Sequence, residues 1–237
     1  MTSPALGLLH TSGLNRDRFA ALLGEMAPPG LAAIHSVRED LLREALDDVP
    51  EARQAAEIGG TLAELHAKGA VQVLCTCSSL GRLAELAGIR LGLPTLRVDR
   101  PMAERAVAAG PRILLVACLS STLVPTGALL REVAAAQGRP VEIETMFLPT
   151  AWNLFQRGDE AGFARAIAQA VLDSPSCVDA VVLAQASMAP AAELLADLPA
   201  PVYSSPRLGL AAALARLDGM PAARGVGHQN GKEAARV

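Results

Sequence analysis

The chain has 237 residues, with 21 Lys and Arg against 24 Asp and Glu and a net charge of −3. It therefore lacks the basic excess of proteins that bind nucleic acids or membrane surfaces, and with 3% aromatic residues it has little to stack on single-stranded bases. We expect neither nucleic acid nor membrane among its partners. Apolar residues make up 51% of the chain, enough to fill a core, so general disorder is excluded. The length fits one large domain or two smaller lobes.

The cysteine content and the N-terminal sequence favour a reduced, cytoplasmic location. Four cysteines are too few for a disulfide scaffold in a chain of this length. Residues Met1–Gly7 carry no basic residue ahead of their apolar stretch, unlike a signal peptide. The uncharged stretch Ile113–Leu130 is long enough to span a bilayer, but its centre is polar. We interpret it as a strand, a polar turn and the start of a helix.

Short apolar runs alternate with helical patterns along the chain. The predicted strands are Ala5–Leu9, Leu31–His35, Val71–Cys75, Thr95–Val98, Ile113–Ala117, Val141–Met146, Ala180–Ala184 and Val202–Ser204. Most of them are continuously apolar, which is typical of strands covered on both faces in a parallel sheet. The predicted helices are Arg16–Met26, Glu51–Lys68, Leu80–Ala87, Met102–Ala109, Gly127–Ala136, Asp159–Leu172 and Pro190–Leu195. This alternation indicates an α/β fold with right-handed crossovers.

The sequence also repeats itself. The segment Val71–Ser78 aligns with Ala180–Ser187, and each is followed by a helix, a Leu-Pro pair and a short strand. The repeat predicts two pseudo-symmetric lobes, each a mainly parallel sheet flanked by helices, with the active site in the cleft between them. We assign residues 1–99 with 207–220 to the first lobe, 100–206 to the second, and 221–237 to a flexible tail.

Cys77 is the strongest candidate for chemistry. It comes just after an apolar strand and just before Ser78, Ser79 and a helix. Backbone N–H groups at a helix start lower the pKa of a thiol and hold carboxylates. The alternative is a buried and inert cysteine, since cysteine is among the residues most often fully buried. No metal site is predicted, because Cys75 and Cys77 have no second Cys or His pair at ligand spacing.

Other polar residues follow the predicted strands, where ligands of open α/β sheets bind. The segment Ser120–Thr126 reads as a polar turn between strand and helix that could hold a carboxylate, or as a simple helix cap. The candidate substrate-binding residues are His10, Thr11, Ser78, Ser79, Thr122, Thr126, Gln185, Ser187 and Ser205. Glycine-rich nucleotide loops and the Gly-x-Ser-x-Gly motif of α/β-hydrolases are absent from the sequence.

Several of these stretches resemble the aspartate/glutamate/hydantoin racemase superfamily. Cys77-Ser-Ser79 is similar to its Cys-Asn/Thr-Ser/Thr element. The other similar stretches are Val98–Glu104, Ser120–Thr126, Leu183–Met188 and Tyr203–Gly209, so the resemblance covers residues 5–215. It implies two α/β lobes around a cleft, a small carboxylate substrate, no cofactor and no metal. It also implies two catalytic cysteines, usually one from each lobe, which act on opposite faces of the substrate α-carbon. A homo-oligomer is compatible with it.

The sequence departs from this pattern at one position. By the internal repeat, Ala186 stands where the second lobe would carry the counterpart of Cys77. Three hypotheses remain open. His10, Ser187 or a water acts on the second face of an isomerase substrate; Cys77 alone performs one-sided chemistry, as a decarboxylase or cis–trans isomerase of the same fold; or the protein only binds a small acid.

Overall fold

Two four-stranded parallel sheets form the frame of the molecule. The computed structural model describes residues 5–47, 49–174 and 177–219, so the predicted tail 221–237 lies outside it. The strands are β1 (Ala5–His10), β2 (Ala32–Val37), β3 (Ala70–Cys75), β4 (Thr95–Arg97), β5 (Arg112–Ala117), β6 (Glu142–Phe147), β7 (Ala180–Leu183) and β8 (Val202–Ser204). They are ordered β2-β1-β3-β4 in one sheet and β6-β5-β7-β8 in the other.

Ten α-helices connect and cover the strands within the described residues. They are α1 (Gly13–Met26), α2 (Glu39–Leu46), α3 (Glu51–Ala67), α4 (Gly81–Leu91), α5 (Arg100–Ala109), α6 (Ser120–Ala136), α7 (Pro149–Gln156), α8 (Glu160–Leu172), α9 (Ala189–Glu193) and α10 (Ser205–Asp218). A short 3-10 helix, Ala186–Met188, precedes α9. The two halves repeat the same order of strands and the same sheet topology, which confirms the predicted two-lobed α/β fold class.

All eight predicted strands are present, each within two residues of its predicted ends. Three helices, α2, α7 and α10, were not predicted. The predicted turn Ser120–Thr126 is wrong, because these residues already form the first two turns of α6, with Pro125 inside the helix. The predicted start of the first helix at Arg16 is late by three residues: α1 begins at Gly13, and the Oγ of Ser12 caps it by accepting a hydrogen bond from the Asn15 N–H at 3.1 Å.

Burial of the central strands explains why they were predictable. Every residue of β1 and β7 is buried, while the edge strands β2 and β6 are largely exposed. Apolar clusters lie on both faces of each sheet, as expected for parallel strands that helices cover. The stretch Ile113–Leu130 divides into β5 and the start of α6. Among the described residues, no helix has the length and apolarity needed to cross a membrane.

The last helix returns to the first sheet. Helix α10 follows β8 of the second sheet but packs against α1 and β3, and it also contacts α5. Gly209 permits this close approach, since a Cβ at this position would lie 2.4 Å from the backbone oxygen of Val98. Conversely, α5 follows β4 of the first sheet and packs against α6 and β7. The two halves are thus tied by a reciprocal exchange of helices.

Candidate active site

A cavity of about 90 Å³ opens between the carboxyl ends of strands from both sheets. Its lining residues are Thr11, Ser12, Asn15, Leu42, Cys77, Ser78, Ser79, Leu119, Thr122, Trp152, Phe155, Gln185 and Ser187. Seven of the predicted site residues are among them: Thr11, Cys77, Ser78, Ser79, Thr122, Gln185 and Ser187. This is the position at which open α/β sheets bind their ligands.

Cys77 lies in the turn that joins β3 to α4. Its carbonyl oxygen accepts a hydrogen bond from the Leu80 N–H at 3.2 Å, which closes the turn ahead of the helix. The backbone N–H groups of Cys77, Ser78 and Ser79 donate no hydrogen bond to another described residue. The side chain of Cys77 lines the cavity and is 8% exposed. A thiol and three unpaired backbone donors therefore share one short segment.

The predicted hydroxyl and amide groups of the lining are held by specific partners. The Oγ of Ser78 donates to the carbonyl oxygen of Ala184 at 3.0 Å, which joins the two halves across the cavity. The Oγ of Ser79 lies 3.3 Å from the Oγ1 of Thr122, again between the halves. The Oε1 of Gln185 accepts from the N–H of Cys118 at 2.6 Å, so its amide nitrogen is the group left for a ligand.

His10, in contrast, is not on the cavity lining. It is fully buried, with its Nδ1 2.9 Å from the Oγ1 of Thr76 and its Nε2 2.9 Å from the Nδ1 of His35. The Thr76 hydroxyl donates to the carbonyl oxygen of Leu9, so it accepts from His10, whose Nε2 then accepts from His35. Burial, together with His35 and Arg16, lowers the pKa of His10 to about 3. His10 is therefore neutral and anchors the residue before Cys77.

Thr126 and Ser205 also lie away from the cavity. Both are fully buried, Thr126 in α6 and Ser205 at the start of α10. Neither hydroxyl oxygen has a hydrogen-bond partner among the described residues. The structure therefore places neither residue where the sequence analysis expected a substrate contact. For Thr126 the reason is that α6 begins at Ser120, which turns this residue inward.

Six lining residues were not predicted from the sequence: Ser12, Asn15, Leu42, Leu119, Trp152 and Phe155. Three of them lie on α2 and α7, the short helices that were also missed. Pro149 at the first position of α7 is a common helix-start signal that could have indicated this helix.

The internal repeat extends to the cavity lining. Asn15 and Thr122 are the third residues of α1 and α6, and Leu42 and Trp152 are the fourth residues of α2 and α7. The two halves thus place residues of different chemistry at matching positions. The strand-end hydrogen bonds correct the pairing expected from the sequence: the N–H of Thr76 donates to Leu9 as that of Ala184 donates to Val116, so Gln185, not Ala186, is the counterpart of Cys77. Gln185 lines the cavity, whereas Ala186 lies off it, and the Ala186 carbonyl oxygen accepts from the Nη1 of Arg18 at 3.3 Å.

The remaining cysteines are not available to the cavity. Cys75 and Cys118 are buried and off the lining, and burial raises the pKa of both thiols, that of Cys118 to about 12. Cys177 is exposed and lies elsewhere. Within the described parts of the chain, Cys77 is thus the one thiol on this cavity. In those same ranges, no three His, Cys, Asp or Glu side chains group as a metal site.

Searches against protein-family models and against curated protein sequences found no match. Solved structures do match. The glutamate racemase of Thermus thermophilus in complex with β-chloro-D-alanine is 18% identical with a TM-score of 0.66, over 92% of this chain and 81% of that one. The aspartate racemase of Picrophilus torridus is 13% identical with a TM-score of 0.64, over 92% and 95%.

A Gly-to-Cys mutant of arylmalonate decarboxylase in a sulfate-associated form is 20% identical with a TM-score of 0.58, over 92% of this chain and 95% of that one. At these identities the similarity establishes the fold. The chain has the two-lobed α/β fold of the aspartate/glutamate racemase superfamily, and the resemblance seen in the sequence is confirmed at that level.

Proposed function

We propose that this protein is a cofactor-independent enzyme that moves a proton at the carbon next to the carboxylate of a small acid. The first candidate reaction is isomerisation of the aspartate/glutamate racemase type, in which Cys77 is the general acid and base. The observation that carries it is the placement of Cys77 on a cavity that both sheets enclose, beside unpaired backbone donors. A small carboxylate is the ligand that such a turn suits.

The surrounding groups fit the electrostatic demands of that reaction. Removing a proton next to a carboxylate leaves an enolate-like charge, which preorganised hydrogen-bond donors stabilise. The N–H groups of Cys77, Ser78 and Ser79 supply three such donors, and the hydroxyls of Thr11 and Thr122 lie on the same lining. We assign these groups to the substrate carboxylate.

The second face of the substrate needs another proton carrier if the reaction is an isomerisation. His10 is not suited to this role, since both of its ring nitrogens are hydrogen-bonded away from the cavity. Gln185, at the position equivalent to that of Cys77, and Ser187 are both on the lining. A water molecule held by Ser187 or Gln185 is the group that we assign to the second face.

One-sided decarboxylation is the second candidate. It is favoured by the fact that, among the described lining residues, Cys77 is accompanied by no His, Lys, Asp or Glu side chain. In this reaction the bond from the α-carbon to one carboxylate breaks, carbon dioxide leaves, and the electron pair stays on the α-carbon. The Cys77 thiol then gives its proton to that carbon, and water reprotonates the thiolate.

Proton exchange with solvent tests both reactions. The protein is incubated in deuterium oxide with 2-amino acids, hydantoins and substituted malonates, while NMR follows α-deuteration and a coupled assay follows carbon dioxide. Cys77→Ala should abolish turnover, whereas Cys177→Ser, which changes an exposed thiol away from the cavity, should retain it. Equal turnover by Cys77→Ala, or no turnover with any of these acids, would contradict the proposal and leave a binding protein.

A further inference from the structure

One wall of the cavity is apolar. It consists of Leu42 from α2, Leu119 before α6, and Trp152 and Phe155 from α7. The rings of Trp152 and Phe155 stack with their centroids 4.7 Å apart, which fixes the orientation of both side chains. Leu42 and Trp152 occupy equivalent positions in the two halves, so each half contributes to this wall.

The described lining carries no side chain of Lys, Arg, His, Asp or Glu. The cation next to it is Arg18, which donates to the Oδ1 of the lining residue Asn15 at 3.4 Å. That guanidinium is already bound to Glu160 at 2.9 Å and to the carbonyl oxygen of Ala186. A second charged group on a ligand would therefore lose its hydration without gaining an ion pair, which is costly.

The size of the cavity limits the apolar group that it can enclose. Its volume of about 90 Å³ is smaller than the roughly 150 Å³ of a cavity known to hold benzene. A branched alkyl group of about four carbons fits this volume better than an aromatic ring. Hydrophobic burial of such a group against the wall then favours binding.

Resting on the function proposed above, we infer that the substrate of Cys77 carries an uncharged α-substituent of isobutyl size, which packs against Leu42 and Trp152. The side-chain carboxylates of aspartate and glutamate, the substrates named for similar structures, have no counter-charge on this wall. Leu42 and Trp152 are thus the specificity-determining residues of the cavity, and Cys77 and the turn after it serve the reacting carbon and its carboxylate.

Binding of two near-isosteric acids tests this specificity without turnover. 4-Methylpentanoate and succinate differ by an isobutyl group in place of a carboxymethyl group. Trp152 is the only tryptophan of the chain, and it lies on the wall, so its fluorescence reports occupancy of the cavity. We expect 4-methylpentanoate to bind at least about 10-fold more tightly than succinate. Equal binding, tighter binding of succinate, or no fluorescence change with either acid would overturn the inference.

A pair of variants ties the preference to the wall. Leu42→Ala should weaken binding of 4-methylpentanoate about 10-fold and leave succinate within 2-fold, because only the apolar contact is lost. Val124→Ala removes a smaller apolar group from a position 72% exposed and should change neither affinity. Circular dichroism checks that both variants are folded. Identical affinities for wild type and Leu42→Ala would count against the assignment of Leu42.

Turnover separates this inference from the proposed function. Matched substrates are leucine and aspartate for α-proton exchange, and isobutylmalonate and carboxymethylmalonate for carbon dioxide release. If exchange or decarboxylation depends on Cys77 but is faster with aspartate or carboxymethylmalonate, the proposed function stands. The inferred preference for an isobutyl group is then rejected. Preferential binding of 4-methylpentanoate without turnover of any compound would sustain the specificity and reject the catalytic role of Cys77.

Discussion

The guanidinium of Arg18 donates a hydrogen bond to the carbonyl oxygen of Ala186, with 3.3 Å between nitrogen and oxygen. Arg18 belongs to α1 of the first half, and Ala186 stands in the second half directly after Gln185, the counterpart of Cys77. The same guanidinium binds Glu160 of α8. A single side chain therefore holds the segment 185–187, which supplies two lining residues, against the half that carries the thiol.

Arg18→Ala should loosen this connection. We expect the free energy of unfolding to fall by about 1–2 kcal/mol, since a partly buried charged donor is lost, and alkylation of Cys77 to become faster. Arg18→Lys should recover only part of the loss, because lysine keeps the charge without the planar fork. Urea denaturation and iodoacetamide kinetics measure these effects.

Arg207→Ala is the control, because it removes a more exposed arginine that is paired with Glu25. It should lower the free energy of unfolding by less than about 1 kcal/mol. A larger loss in this control than in Arg18→Ala would contradict the prediction.

Thiol labelling should be selective for Cys77. The exposed Cys177 reacts in any case, so the experiment uses a Cys177→Ser background. In that background we expect one adduct, at Cys77, under native conditions, because burial raises the pKa of the Cys75 and Cys118 thiols. Peptide mass spectrometry locates the adduct, and Cys77→Ala should remove it. Native labelling at Cys118 instead of Cys77 would support the inert interpretation of Cys77.

Acid should destabilise the protein through His10. Its pKa is about 3 in the folded chain, against about 6.5 when unfolded. Below about pH 6.5 the unfolded chain binds a proton that folded His10 does not, so stability falls as the pH decreases from about 7 toward 3, by at most about 1.4 kcal/mol per unit for this group. His35 stacks on His10, and burial lowers its pKa as well. Its protonation in the unfolded chain therefore also reduces stability as the pH falls.

His10→Asn should flatten this dependence. Urea midpoints at pH 7.5, 6.0 and 5.0 give the slope, and His66→Asn, at an exposed position on α3, serves as the control that should keep it. Parallel slopes for wild type and His10→Asn would refute the assignment of acid sensitivity to His10.

A buried ion pair lies against the start of α4, the helix that follows Cys77, where a Cβ at Gly81 would lie 2.9 Å from the Nε of Arg97. Arg97 donates two hydrogen bonds to Asp99, at 2.6 and 2.9 Å, and both side chains are at most 2% exposed. Asp99→Asn leaves the arginine charge buried without its partner and should cost about 3–5 kcal/mol in chemical denaturation. Asp17→Asn breaks the exposed pair with Arg16 and should cost less than about 1 kcal/mol. Similar losses in the two variants would be incompatible with this account.

Thr126→Val tests whether this residue contributes to the site. The change replaces a buried hydroxyl that lacks a partner with a methyl group of similar size, so stability should stay the same or rise by about 1 kcal/mol. Turnover should be unaffected, whereas Thr122→Val, on the lining, should lower it. Loss of turnover with Thr126→Val would restore the role that the sequence suggested.

The strands and the thiol could be predicted because their signals are local. Strands buried on both faces are continuously apolar, and Cys77 follows one of them directly. The apolar wall could not be predicted, since Leu42, Trp152 and Phe155 lie on short helices whose pattern covers barely two turns. Which side of a strand end or of a helix faces a cavity depends on tertiary packing. This explains why His10, Thr126 and Ser205 were expected on the lining but are buried elsewhere.

The difference between Cys77 and Gln185, its counterpart in the second half, also bears on stereochemistry. Two halves with the same residue at this position would present the same group to both sides of the reacting carbon. Such a site would accept both enantiomers of a substrate. Here a thiol stands on one side and a carboxamide on the other, so the two enantiomers of a substrate meet unequal surroundings. A decarboxylation in this cavity, in which Cys77 alone protonates a flat intermediate, should therefore give predominantly one enantiomer.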